Sequence, residues 1–221
     1  MNPSSFKIYK GIYFLICVLS LFFIDSNESI TEMIFKIFTV VLIAFMYLTY
    51  TPKINYWYLL LLMYCIIADT LLIFEQDFLR GGVLFVVFTR FTYLIILKKT
   101  ILNVKLRPAL FYLIPCVLLF ILLSYLLSLF IENILISVFI VCFLNLTVIG
   151  LSFYQYLNKM TRDNLYFMLG VFLITIADFI IAFNKYLVYQ LDYQLYYVIL
   201  YTVMYYVARY LICIAMINEK Q

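Results

Sequence analysis

The chain has 221 residues, of which 68% are hydrophobic and 12% are charged, and its mean hydropathy is +1.11. Soluble domains are about 45–50% apolar and about 25% charged, so a soluble globule of this size is excluded because it could not bury so much apolar surface. The net charge of +4 is scattered along the chain, which excludes the clustered basic face of a nucleic-acid-binding protein.

The apolar residues form recurring stretches of about 17–25 residues, the length that crosses about 30 Å of hydrocarbon. They predict an all-α protein, a polytopic transmembrane helix bundle of about eight spans that forms a single membrane domain over residues 1–221. The first stretch follows Lys7 and Lys10 and is interpreted as a span, because no small-residue cleavage site of a signal peptide comes after it. The predicted spans lie near residues 8–24, 30–50, 56–74, 79–97, 109–130, 133–156, 164–184 and 194–217.

Lysine and arginine are unevenly distributed between the polar breaks. With the N-terminus in the cytoplasm, the outer loops hold Arg80 and Lys185, whereas the inner segments hold Lys7, Lys10, Lys53, Lys98, Lys99, Lys105, Arg107, Lys159, Arg162 and Lys220. Acidic residues collect in the outer loops at Asp25, Glu28, Glu75, Asp77, Glu132 and Asp192. Cytoplasmic loops of membrane proteins carry an excess of basic residues, so this pattern predicts both termini in the cytoplasm. The short loops favour a bacterial inner membrane, with the endoplasmic reticulum as the alternative.

A short sequence pattern occurs in both the third and the seventh predicted span. Residues 67–74 and 176–183 each contain Ile-Ala-Asp, then four residues, then Phe. The span that follows carries Arg90 in the first case and Arg209 in the second. This repetition predicts two four-helix halves in parallel arrangement, which would bring equivalent residues to similar depth. A chance match in a chain rich in Ile and Phe is the alternative.

Five ionisable residues stand out within the predicted spans: Lys36, Asp69, Arg90, Asp178 and Arg209. A charge inside the bilayer is costly, so such residues normally face the bundle interior and pair with one another. They predict a polar pocket in the outer half of the bundle. Two structural alternatives remain open: Lys36 could extend to the outer headgroups, and the Asp and Arg residues could form ion pairs that only fix helix packing.

Three tyrosines are predicted to accompany these arginines. Tyr93 lies three residues after Arg90, and Tyr205 lies four residues before Arg209, so each shares a helix face with its arginine. Tyr206 adjoins Tyr205 and is grouped with them as a candidate pocket residue. Ordinary packing explains these tyrosines equally well.

The sequence offers no recognisable metal site. Histidine is absent, and the five cysteines lie singly inside apolar stretches with no Cys-x-x-Cys pair. A zinc site of the common Cys/His type is therefore not expected, and no metal or organic cofactor is predicted.

From about Lys36 to Ile212, the order and spacing of these motifs resemble the YhhN family of multi-pass membrane proteins, whose characterised members are lysoplasmalogenases. The family pattern has a lysine in the second span, an acidic helix, a glycine-rich turn, an aromatic helix, a second acidic helix and a final helix with paired tyrosines. The corresponding residues here are Lys36 to Thr39, Ala68-Asp69-Thr70-Leu71-Leu72, Gly81-Gly82, Phe85 to Tyr93, Gly170 with Ala177-Asp178, and Tyr205-Tyr206-Val207-Ala208-Arg209.

The chain also departs from this pattern. Arg90 stands at the family's histidine position and Arg209 at its terminal glutamine, while alanine precedes each aspartate. Lys36 is followed by Ile37, whereas the family usually has proline there. These changes affect the inferred activity and substrate more than the inferred fold.

The resemblance implies a membrane-embedded hydrolase that cleaves the vinyl ether of a lysoplasmalogen, releasing a fatty aldehyde and a glycerophospho-head group. Asp69 and Asp178 would be the catalytic acid and base, in an order that the sequence leaves open. Lys36, Arg90 and Arg209 would hold the substrate phosphate, and the three tyrosines would line the pocket. The expected partners are this lipid substrate and the surrounding membrane lipid, with no nucleic acid and no cofactor.

Two other classes of function remain open at this point. The apparent repeat and the charges within the membrane would also suit a small transporter or a lipid-binding protein. The chain could instead be a catalytically inactive family member whose charges only organise the bundle. The sequence gives no indication of the oligomeric state.

Overall fold

The fold is known from a computed structural model that describes residues 3–24, 30–101, 106–130, 136–186 and 195–218. Within these ranges the chain forms eight α-helices and no strand, which confirms the predicted all-α class. The helices are α1 (Pro3–Leu21), α2 (Ile30–Tyr50), α3 (Tyr56–Ile73), α4 (Glu75–Ile101), α5 (Leu106–Phe130), α6 (Ile136–Asn158), α7 (Arg162–Tyr186) and α8 (Leu195–Asn218).

Length and composition make this an integral multi-pass membrane protein. Within the described residues, six of the helices, α2, α3, α4, α6, α7 and α8, are long and apolar enough to cross a membrane, and α5 contributes a shorter apolar stretch, Phe111–Tyr125. Each predicted span overlaps one helix, while the division of each helix between lipid and water stays a prediction. The loop charges Asp25, Glu28, Lys105, Glu132, Asp192 and Lys220 lie outside the described residues, as do the beginnings of the spans drawn from 133 and 194. The side chains of Glu75, Asp77, Lys99, Arg107 and Lys185 are likewise not described, so the orientation in the membrane also stays a prediction.

The helices pack as two halves with the same internal order. In α1–α4 and in α5–α8, each helix packs against the next one along the chain. Between the halves, α2 packs against α8, and α4 packs against α6. These two contacts are equivalent, because α2 and α4 of the first half correspond to α6 and α8 of the second. The packing therefore has the two-half organisation that the repeated Ile-Ala-Asp pattern predicts.

A polar cap sets the junction between α2 and α3. The Asn55 side chain accepts a hydrogen bond from the Trp57 amide at 3.1 Å, which satisfies one of the free N–H groups at the start of α3. The amide of Asn55 donates to the hydroxyl of Tyr47 on α2, at 2.7 Å. This buried contact fixes the angle at which α3, the helix of Asp69, leaves α2.

Glycines allow close helix contacts in both halves. In the pair α3–α4, a Cβ atom added at Gly82 would lie 2.8 Å from Leu72 Cγ. In the pair α7–α8, a Cβ at Gly170 would lie 2.5 Å from Ile212 Cγ1 and 2.9 Å from the Ala208 carbonyl oxygen. Small residues permit such close approach of helix backbones, which is the main source of packing energy between helices in lipid.

Gly170→Ala is expected to lower the free energy of unfolding by about 1–3 kcal/mol, because its methyl group would push α8 away from α7. The matched control is Gly11→Ala on α1, where an added Cβ meets no atom within 4 Å. Thermal unfolding of both variants in detergent measures the difference. Equal midpoints for the two variants would contradict the prediction.

Candidate functional site

Two buried ion pairs cross between the two halves of the bundle. Arg209 on α8 contacts both carboxylate oxygens of Asp69 on α3, at 2.9 Å and 2.7 Å. Arg90 on α4 donates from Nη2 to Oδ2 of Asp178 on α7. Each half thus supplies the arginine that neutralises the aspartate of the other half. Four of the five charged residues that were predicted to pair within the bundle are therefore paired with one another.

Asp178 is the more enclosed of the two aspartates, with 10% of its side chain exposed. Besides Arg90, it accepts hydrogen bonds from Asn145 Nδ2 at 2.7 Å and from the hydroxyl of Tyr205. Three donors on one carboxylate hold it firmly in place. Donors from three other helices, α4, α6 and α8, therefore surround the carboxylate of Asp178.

Asn145 was not among the predicted site residues, although the internal repeat contained a signal for it. The two copies of the Ile-Ala-Asp pattern are offset by 109 residues, the separation between Asp69 and Asp178, and the same offset relates position 36 to position 145. Asn145 on α6 is therefore the counterpart of Lys36 on α2, and both are polar positions within apolar helices.

Asp69 is the more accessible aspartate, with 19% of its side chain exposed. It forms part of the wall of a cavity of about 70 Å³. A buried water occupies about 10–15 Å³ on this scale, so the cavity has room for several waters or one small polar group. Helices α2, α3, α4, α7 and α8 supply its wall, through Lys36, Cys65, Ala68, Asp69, Leu72, Val86, Thr89, Arg90, Ile181, Tyr201, Thr202, Tyr205, Tyr206 and Arg209.

Six of the eight predicted site residues lie on this wall: Lys36, Asp69, Arg90, Tyr205, Tyr206 and Arg209. Asp178 and Tyr93 are absent from the wall as the described residues form it. Asp178 reaches the cavity indirectly, through Arg90 and Tyr205. Tyr93 is 2% exposed and packs edge-on against Phe167, with its ring 5.9 Å from Arg90 Cζ.

Lys36 forms an ion pair with Glu32, which was not among the predicted site residues. Its Nζ lies 2.6 Å from Oε1 of Glu32, one helical turn earlier on α2. The spacing of four residues between opposite charges is the signal that could have found Glu32. With this pair included, three acidic and three basic side chains balance one another, which lowers the cost of keeping them in an apolar bundle.

Tyr205 and Tyr206 connect the cavity to its surroundings in different ways. The ring of Tyr205 lies 5.3 Å from Arg209 Cζ, while its hydroxyl donates to Asp178, so Tyr205 contacts both crossed ion pairs. Tyr206 accepts a hydrogen bond from Ser20 at 2.8 Å through its hydroxyl oxygen, and its backbone carbonyl accepts one from Tyr13, also at 2.8 Å. These bonds fasten α1 to the side of α8 that carries the cavity residues.

Four residues that line the cavity have a buried side-chain atom without a hydrogen-bond partner within the described ranges. One is Asp69, whose Oδ2 is in contact with Arg209 as an ion pair, and the other three atoms are donors: Nε of Arg90, Nε of Arg209 and the hydroxyl of Thr202. A buried donor without a partner costs about 1–3 kcal/mol, which makes three of them in one place a feature that needs an explanation. Thr202 was not predicted as a site residue, because a threonine in a helix carries no charge that would mark it in the sequence.

Comparison with known proteins places this chain in a family. The model of the YhhN family matches residues 31–216. The chain belongs to the YhhN family. The resemblance seen in the sequence motifs is thereby confirmed, and the matched segment contains both crossed ion pairs and the whole cavity wall. No curated protein and no solved structure matches this YhhN chain.

Proposed function

We propose that this YhhN protein is a membrane-embedded hydrolase that cleaves the vinyl ether of lysoplasmalogen-type lipids. The observation that carries the proposal is the partly exposed carboxylate of Asp69 on the wall of a partly open cavity, beside two guanidinium groups and one ammonium group. The known activity of characterised YhhN members supports the same reaction class. Both products, a fatty aldehyde and a glycerophospho-head group, follow from addition of one water molecule.

The chemistry requires a proton donor and one water molecule. A proton is added to the outer alkenyl carbon. The positive charge then lies on the carbon that is bonded to the ether oxygen and is shared with this oxygen, which makes the group an oxocarbenium ion. Water attacks this ion, and the resulting hemiacetal separates into an aldehyde and an alcohol. Glycosidases pass through the same kind of cation and use carboxyl groups both to donate the proton and to stabilise the positive charge.

The geometry supports different roles for the two aspartates. Asp69 is the carboxyl group on the cavity wall, so we assign it the proton transfer to the substrate. The substrate phosphate would compete for the guanidinium of Arg209, and a carboxyl group released from this contact is free to carry the proton. Asp178 acts through the groups it holds, Arg90 and Tyr205, and is therefore a positioning residue in this proposal.

The cavity accommodates only part of such a lipid. A volume of about 70 Å³ suits the phosphate or the vinyl ether, so the single hydrocarbon chain would lie between helices and reach the cavity from the bilayer. We place the protein in a bacterial inner membrane with both termini in the cytoplasm, in accordance with the loop charges. The cavity would then lie in the outer half of the bundle.

A small carrier is the second candidate function. The observation in its favour is that two similar halves pack together through equivalent contacts, with buried ion pairs between them. Transporters built from internal repeats typically have this arrangement. A catalytically inactive YhhN protein is the third, because both guanidinium groups already have carboxylate partners.

One experiment distinguishes these functions. Purified protein in detergent is expected to release aldehyde from lysoplasmalogen and none from the matched lysolipid with a saturated ether, because only the vinyl ether forms an oxocarbenium ion upon protonation. Aldehyde is measured by mass spectrometry, and uptake of both lipids is measured in parallel in proteoliposomes. Uptake without aldehyde would identify a carrier, and the absence of both would identify an inactive protein.

A further inference from the structure

The cavity lies closer to the aspartate of the first half than to the aspartate of the second. Four residues of α3 form part of its wall, at positions 65, 68, 69 and 72. The offset of 109 residues relates them to positions 174, 177, 178 and 181 on α7, of which the described wall includes only position 181. Ile174 and Ala177 are 3% and 0% exposed. The space that is open beside Asp69 is therefore filled beside Asp178.

Helices α4 and α8 correspond to each other with an offset of 119 residues, the separation between Arg90 and Arg209. Both arginines donate from Nη2 to the aspartate of the opposite half. The burial of the two helices follows the same offset. Buried residues correspond in six places: Val87 with Tyr206, Thr89 with Ala208, Arg90 with Arg209, Tyr93 with Ile212, Ile96 with Ala215 and Leu97 with Met216. A position on α4 can therefore be compared with its counterpart on α8.

The two halves differ at one such pair of positions on the cavity wall. At this offset Val86 on α4 is the counterpart of Tyr205 on α8, and both line the cavity. The hydroxyl of Tyr205 donates to Asp178, the aspartate of its own half. Valine has neither a ring nor a hydroxyl, so Val86 makes no such bond to Asp69 and occupies less space beside it. The valine leaves open in the first half what the tyrosine fills in the second.

A second donor of Asp178 also has no equivalent at Asp69. Asn145 Nδ2 donates to Asp178 at 2.7 Å, whereas its counterpart Lys36 forms an ion pair with Glu32 on its own helix. Among the described residues, Asp178 thus has three donors and Asp69 has the guanidinium of Arg209. The same framework encloses one aspartate and leaves the other accessible.

We propose that Val86 is a specificity-determining residue, because it keeps open the space beside Asp69 in which the vinyl ether of the substrate lies. This inference rests on the proposed function for the identity of the substrate. Ala68 and Leu72 lie on the same helix as Asp69 and add apolar surface to the cavity wall. An apolar lining suits the alkenyl carbons that Asp69 must protonate. Tyr205 closes the equivalent space in the second half, so the bundle presents Asp69 and encloses Asp178.

Stability measurements test whether there is room beside Asp69, and they need no substrate. Val86→Tyr is expected to unfold in detergent at or above the wild-type midpoint, because its ring enters open space and its hydroxyl can donate to Asp69. Val86→Phe lacks that hydroxyl and should unfold at a lower temperature than Val86→Tyr. The matched control is Val148→Tyr on α6, a valine 1% exposed and off the described wall, where the added volume overpacks the core and lowers the midpoint.

The rate of aldehyde release from lysoplasmalogen tests the role of the space in the reaction. Val86→Tyr is expected to lower this rate by about a hundredfold, the effect that a misplacement of about 1 Å can have on a bound substrate. Leu84→Tyr is the control, since it adds the same side chain to α4 at a position that is 50% exposed and off the described wall. Its rate should equal that of the wild type. A loss of activity without a loss of stability distinguishes a specificity residue from one that only supports the fold.

Two results would overturn the inference. If Val86→Tyr lowered the midpoint as much as Val148→Tyr does, there would be no room beside Asp69 for a ring or for a substrate. If a stable Val86→Tyr protein released aldehyde at the wild-type rate, the space would have no part in the reaction. A wild-type protein that releases no aldehyde would reject the hydrolase, while the stability comparison would still decide whether Val86 keeps this space open.

Discussion

Replacing Asp69 with asparagine is expected to lower the rate of aldehyde release from lysoplasmalogen by about a thousandfold. Asparagine has nearly the same shape but cannot transfer a proton, and positioned acid–base groups typically contribute about 10²–10⁴-fold. Asp69 is the carboxyl group on the cavity wall, so no other acid among the described wall residues can take over its role. The rate is measured with saturating lipid on protein purified in detergent.

Asp163→Asn provides the control for this substitution. Asp163 is an acid at the beginning of α7 that accepts a hydrogen bond from Asn218 in an exposed position, away from the cavity. Its variant is expected to retain the wild-type rate. If Asp69→Asn retained that rate too, Asp69 would have no part in proton transfer and the assignment of the site would be wrong.

Asp178→Ala is expected to have the largest effect on stability, lowering the free energy of unfolding by about 3–5 kcal/mol. This substitution leaves the guanidinium of Arg90 buried with no carboxylate partner, a situation that is strongly destabilising. It also removes the acceptor that Asn145 and Tyr205 share. Reversible denaturation in mixed micelles measures the loss.

The double variant Arg90→Met with Asp178→Ala separates the ion pair from simple loss of packing. Removing both charges leaves no unpaired ion, so the double variant should regain much of the stability that Asp178→Ala loses. If the losses of the two single variants were instead additive, the charges would not interact and the crossed pair would contribute nothing to the fold.

The elements of the fold were largely predictable because hydrophobicity alone determines them. Apolar stretches long enough to cross a bilayer mark the helices, and short polar breaks mark their ends. The repeated Ile-Ala-Asp pattern predicted the two halves, since the same side chains are needed wherever the same packing recurs. Asn is a preferred residue at the beginning of a helix, which agrees with the N-cap at Asn55. This cap could not be predicted from the sequence, because the prediction requires the position at which the helix begins.

The partners within the site were much less predictable. The charges at Asp69 and Arg90 predicted a polar interior, but α3 and α4 are adjacent helices, and nothing in the spacing indicates that each charge pairs with the opposite half. Helical periodicity fixes the face on which a residue lies and leaves open which helix packs there. Uncharged Asn145 and Thr202 were missed for the same reason, because their importance comes only from the contacts they make or lack.

The crossed ion pairs also constrain how the polypeptide is made. Arg90 precedes Asp178 by 88 residues, and Asp69 precedes Arg209 by 140. At a synthesis rate of about 5–20 residues per second, the first half must wait for several seconds to about half a minute before its counter-ions leave the ribosome. Each waiting charge carries an insertion penalty of about 2.5–3.5 kcal/mol at the middle of a membrane helix. The nascent first half is therefore expected to depend on shelter within the translocon until these counter-ions have been synthesised.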